Sequence, residues 1–96
     1  MSNIHIIALP ERFDFYYHRA FTSDYQAILK ATDVNHVILD FSRVLYLDSS
    51  ALGMMVLLYR KAHELGLSTS IKGAHGQAEE ILKVANMQKL YIIESY

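Results

Sequence analysis

Four short apolar runs with β-branched character, at 4–9, 37–41, 68–72 and 90–94, alternate along this chain with three stretches of helical periodicity. That alternation constrains the fold more than any single motif. Parallel strands cannot be joined by a two-residue hairpin. They need a crossover of a dozen or more residues, most often a helix. Strand and helix in regular alternation therefore predict an α/β domain, β-α-β-α-β-α-β, on a mostly parallel sheet with right-handed crossovers.

The first strand stops at Pro10, which cannot donate to a sheet ladder. Beyond it, Phe21, Tyr25, Ile28 and Leu29 fall at helical spacing and predict a helix over 15–31, with Asp14 as candidate N-cap. "VILDF", 37–41, reads as a strand buried on both faces. "SRVLYLD" reads as a turn and an extended connection back to the sheet's end. The second helix is expected over 50–65, capped by Asp48 or Ser49. Ala51, Met55, Leu58, Ala62 and Leu65 form its stripe, and Gly66 sits at its left-handed C-cap. Ala78, Ile81, Leu82 and Ala85 carry the third helix.

Ninety-six residues, 52% hydrophobic and 20% charged, make one domain, 1–96, able to bury a core. A net charge of −1 gives no electrostatic case for direct nucleic-acid binding or for anionic lipid. The absence of cysteine excludes disulfides, thiolate metal sites and cysteine nucleophiles. His5, His18, His36, His63 and His75 form no ligand pair at metal-binding spacing, so neither metal nor cofactor is expected. The N-terminus has no basic, apolar leader pattern. The longest apolar run, 51–59, is about half of a membrane span. A cytoplasmic protein without membrane insertion is the expectation.

The segment "LYLDSSALGMMVLLYRKAHELG", 45–66, places two serines directly after an aspartate, between strand and helix. This is where α/β domains put functional groups. A helix cap contributes about 1 kcal/mol and needs one such residue, so capping explains only part of Asp-Ser-Ser. A nucleophile elbow carries glycines two residues to either side of its serine. Leu47 and Ala51 stand there instead. A phosphate-cradling loop needs clustered glycines and a lysine, a set that "DSSALG" lacks. A fourth reading is a serine that receives phosphate. A hydroxyl at a helix start is exposed, and the helix dipole tolerates the added charge of about −1.5 to −2.

"HVILDFSRVLYLDSSALGMMVLLYRKAHELG" closely resembles the core motif of STAS domains, the anti-anti-sigma factor family. The shared pattern is an apolar strand ending in Asp40, a short connection, then Asp-Ser-Ser-small-Leu-Gly from Asp48 to Gly53 opening a helix. "LPERFDF" is similar to the family's turn before its first helix, with Asp14 at a recurrent aspartate. "IKGAHGQAEEILKVANMQKLYIIES" resembles its final helix–strand pair. Ala51 departs from the more usual glycine. Among family members the chain is most similar to short proteobacterial regulators.

The resemblance implies that Ser49 is the phosphoacceptor, with Ser50 beside it, and that Asp14, Asp40 and Asp48 line one end of the sheet. Capping and turn chemistry remains the alternative for Asp14 and Asp40. Partner contacts are expected at Asp14, Asp48, Ser50, Leu52, Gly53 and Met54. Leu52, Met54, Val56 and Leu57 are expected to leave an apolar patch beside Ser49. The aromatic segment "FDFYYHRAF" reads first as core and second as partner surface. The implied function is an anti-sigma factor antagonist that regulates transcription by partner switching. It would bind an anti-sigma factor or serine kinase, be switched off by phosphorylation at Ser49, and be restored by a PP2C-type phosphatase. The alternative is a non-phosphorylated interaction module, such as an accessory subunit of a lipid-transport ABC complex. No enzymatic activity is expected, and the protein is expected to be a monomer or weak dimer.

Overall fold

In the computed structural model, which describes residues 3–94, the chain forms β1 (Ile4–Ala8), β2 (Arg12–Phe13), α1 (His18–Lys30), β3 (His36–Asp40), β4 (Tyr46–Leu47), α2 (Ser49–Glu64), β5 (Ser68–Lys72), α3 (Gly76–Val84) and β6 (Ile92–Glu94). One-turn 3-10 segments at Phe15–Tyr17 and Met87–Lys89 lead into α1 and towards β6. The main sheet is parallel throughout, in the order β1-β3-β5-β6. A two-residue parallel ladder pairs β2 with β4 beyond its end. The predicted alternation of strands and helices is observed. The β2–β4 ladder lies within what the sequence presented as plain connections.

The strand order steps across the sheet in one direction. Each parallel crossover is right-handed for the usual steric reason, so α1, α2 and α3 all cover the same face. Burial shows the result. On the covered side Ile7, Val37, Leu39 and Ile71 are buried, and they pack with Phe13, Phe21, Phe41, Met55, Leu58 and Leu82. On the other side Ile4, Ile6 and Ile92 are exposed. The expectation of a β3 strand buried on both faces is therefore corrected. Val37 and Leu39 are buried, while Ile38 and Asp40 are only half-buried.

Element ends also shift slightly. β1 closes at Ala8, although the Leu9 amide still donates to the Asp40 carbonyl at 3.1 Å. The final strand is shorter than 90–94 because Tyr91 turns into the core, where its hydroxyl donates to the Met55 carbonyl at 2.7 Å. Burial pushes the Tyr91 hydroxyl's pKa upward. Gly66 adopts φ 77° and ends α2 in the left-handed conformation, as its position predicts. Leu65, assigned to the buried stripe, is exposed because it already belongs to that cap.

Candidate functional site at the start of α2

Asp48 has extended backbone angles, and its Oδ1 accepts a hydrogen bond from the Ala51 amide at 2.9 Å. It is the N-cap of α2. Its other oxygen, Oδ2, accepts from the Phe15 amide at 3.3 Å, tying the segment before α1 to the start of α2. Asp14 plays the matching role one loop away. It caps the 3-10 turn by accepting from the Tyr16 amide at 3.0 Å, and it pairs with Arg12 Nε at 3.5 Å. The structure thus brings Asp14 and Asp48 together at the start of the 3-10 turn Phe15–Tyr17.

Because Asp48 supplies the cap, neither serine is needed for it. Ser49 and Ser50 occupy the first turn of α2 and are both exposed. Free amides of a helix's first turn and the aligned dipole favour negative charge at that position. The outward stripe of α2 continues from Ser50 through Gly53 to Leu57, all exposed. A Cβ built on Gly53 would meet nothing within 4 Å, so internal packing does not require glycine there.

Two sequence expectations need correction. Met54 is only 8% exposed and belongs to the core, because it falls on the sheet-facing side between Ala51 and Leu58. It cannot contribute to a partner surface. Asp40 does end β3 at the C-terminal end of the sheet, but not on the face that carries the helices. Its side chain lies on the face away from the helices and its Oδ1 accepts from the Ser42 amide at 2.9 Å. Burial would raise the Asp40 pKa, but the hydrogen bonds from Ser42 and the nearby Lys72 charge outweigh it and hold it below the usual range.

An apolar surface does adjoin Ser49, with different members. Leu52 lines a shallow groove of about 320 Å³ with Gln77, Glu80, Ile81, Val84 and Ala85 between α2 and α3. Val84 is 84% exposed there. The aromatic segment divides. Phe13 and Phe21 are core, whereas Phe15 and Tyr16 point outward, as do Leu45 and Tyr46 on the facing connection. The Arg12 guanidinium sits 5.2 Å from the centre of the Tyr46 ring. The exposure of Leu45 and Tyr46 had no signal in their spacing, since it follows from the β2–β4 ladder. Among the described residues, no group of three or more acidic or histidine side chains forms a metal site, and no helix is long and apolar enough to cross a membrane.

A two-layer α/β sheet with an Asp-Ser-Ser turn opening its central helix is the arrangement of a STAS domain. The chain matches that family over residues 2–95, and it belongs to the STAS domain family. It is similar to a STAS-domain containing protein of Pseudomonas aeruginosa, at 32% identity over 87 residues that cover 91% of this chain and 84% of the relative. Three solved structures share the fold. A putative anti-sigma factor antagonist of Thermotoga maritima superposes with a TM-score of 0.79 at 18% identity, covering 95% of this chain and 79% of that one. The Bacillus cell fate determinant SpoIIAA in its phosphorylated form gives 0.76 at 14% identity, over 100% and 85%. The STAS domain of a SulP transporter from Vibrio cholerae gives 0.78 at 18% identity, over 94% and 69%.

Proposed function

We propose that this STAS domain is an anti-sigma factor antagonist-like regulator that works by protein–protein contact and is switched by phosphorylation of Ser49. The carrying observation is that Asp48 alone caps α2, leaving Ser49 exposed and free of a structural task. A phosphate there gains from the helix dipole and leaves the fold in place. Asp48 beside it keeps the local surface acidic, so the added charge is felt by whatever docks.

The docking surface in this reading is the outward stripe Ser50, Gly53 and Leu57, with Leu52 and the α2–α3 groove on one side. Asp14, Phe15 and Tyr16 lie on the other. The partner is an anti-sigma factor or serine kinase, and a PP2C-type phosphatase reverses the modification. Burying an unpaired phosphate at such a contact costs about 2–5 kcal/mol, which is roughly thirty-fold to a few thousand-fold in affinity. That range suffices for a switch without refolding. In this reading the protein is a cytoplasmic regulator of transcription.

The test is phosphorylation by a candidate kinase with ATP, read by intact-mass and peptide mass spectrometry. Wild type takes up one phosphate on the peptide containing Ser49, and Ser49→Ala takes up none. Undiminished incorporation in Ser49→Ala would rule the assignment out. Absence of phosphate together with copurifying transporter subunits would favour the interaction-module alternative.

A further inference from the structure

We propose that the uncovered face of the sheet joins two copies of this chain about a two-fold axis running along the strands between β3 and β5. The three helices cover one side only, so the other side presents three rows fixed by the strand register. The middle row is Ile6, Ile38, Ser70 and Ile92. The row towards the strand C-termini is Ala8, Asp40, Lys72 and Glu94, and the opposite row is Ile4, His36 and Ser68.

Ile4, Ile6 and Ile92 are 45%, 52% and 61% exposed, a high apolar content for a face in water. The polar groups among them are already satisfied. His36 Nδ1 lies 2.5 Å from Ser68 Oγ and His36 Nε2 lies 2.8 Å from Ser70 Oγ. Covering this face therefore strands no donor or acceptor in its middle, which removes the usual penalty for burying a polar surface.

The pattern is complementary to itself. Rotation about the stated axis lays β3 of one copy over β5 of the other, and β1 over β6, with the rows kept level. Ile6 then meets Ile92 of the second copy, and Asp40 meets Lys72, each contact occurring twice. Aligned packing of two such twisted sheets, about 10 Å apart, is a standard arrangement. The other in-plane axis, across the strands, sets Ile6 against Ile6, Asp40 against His36 and Lys72 against Ser68, so the Asp40–Lys72 match is lost.

Four strands of about five residues present a face of roughly 20 by 17 Å. The pair would bury well under the 1,200 Å² or so of a standard stable interface. The dimer is accordingly weak and concentration-dependent. It leaves Ser49 and the α2–α3 groove on the far side of each copy free, so it is independent of the phosphorylation reading.

Sedimentation of the whole chain from about 10 μM to about 1 mM tests it, a range that brackets the affinity of a weak contact. Wild type rises from monomer mass towards twice that value. Ile6→Lys and Ile92→Glu each remain monomeric across the range. The combined I6K/I92E chain regains dimer, now sensitive to salt, because each new cation meets a new anion across the axis. Both positions are exposed in the single copy, and thermal melts confirm that each variant is folded. Lys72→Glu, which sets two acids together across the axis, is a second disruption should I6K melt early. A wild type that is monomeric at the highest concentration, a dimer that survives the single substitutions, or a double variant that stays monomeric would each overturn the proposal.

Discussion

Asp48 and Phe15, thirty-three positions apart, are joined by a hydrogen bond from the Phe15 amide to Asp48 Oδ2, while Oδ1 of the same carboxylate caps α2. One side chain therefore sets both the start of the helix carrying Ser49 and the course of the aromatic segment beside it. A change in charge at Ser49 falls next to the group that holds these two surfaces in register.

Asp48→Ala should destabilise the fold by about 2 kcal/mol, combining loss of the cap with loss of the bond to Phe15. Asp48→Ser keeps a capping oxygen but gives up the second bond, so its loss should be about half as large. Urea denaturation of both variants separates the two contributions. No measurable loss in Asp48→Ser would show that the tether to Phe15 contributes nothing, and equal losses in the two variants would assign the whole effect to it.

Ser49→Asp should leave the melting temperature unchanged or slightly raised, since a carboxylate in the first helical turn gains about 0.3–1 kcal/mol from the dipole. Partner affinity should fall, though less than with phosphate, which carries more charge and more acceptor oxygens. Thermal melts and calorimetric titration measure the two effects independently. A sharp drop in melting temperature would make Ser49 structural.

Gly53→Ala should stabilise the protein by about 0.5–1 kcal/mol, because the position is exposed, helical and empty around the absent Cβ. The same methyl should weaken partner binding by about tenfold if the partner's backbone approaches the helix there, a loss of about 1.4 kcal/mol. Raised stability with unchanged affinity would remove Gly53 from the contact surface.

Met54 and Leu57, three residues apart on α2, should separate core from surface. Met54→Ala should cost about 2–4 kcal/mol through the cavity it leaves. Leu57→Ala should change stability by less than about 0.5 kcal/mol yet reduce partner affinity. Denaturation and titration of the pair would reveal any exchange of these roles.

The order of strands and helices was legible because apolar spacing reports which residues must be covered, and capping chemistry reports where helices begin. Gly66 follows from such a local rule. Asp14 caps the 3-10 turn that leads into α1 rather than α1 itself, and for α2 the local rules leave Asp48 and Ser49 as alternatives, of which the structure has Asp48. The errors arose where coverage depends on topology. Nothing in "VILDF" distinguishes a strand sandwiched by helices from one covered on a single side, since Ile38 is apolar in either case. Met54 was misplaced because the first turns of α2 are apolar almost all round, so the stripe could be drawn through either side. Tyr91 was read as strand because its neighbours are β-branched, and only its bond to the Met55 carbonyl explains why it turns inward.

The strand order has a consequence for how the chain is assembled. Each new long strand pairs with the one most recently laid down, from β1 through β3 and β5 to β6. None of these four strands waits beyond the next one laid down, so each pairing closes a single crossover and folding can follow synthesis from the ribosome. The two-residue β2, by contrast, waits past β3 for β4. By that sequence the turn bearing Ser49 is in place once β5 has docked. After it β6 arrives behind Tyr91, whose hydroxyl fastens onto the middle of α2. A chain interrupted before that residue would hold a nearly complete switch on a helix that nothing yet locks to the sheet's final edge.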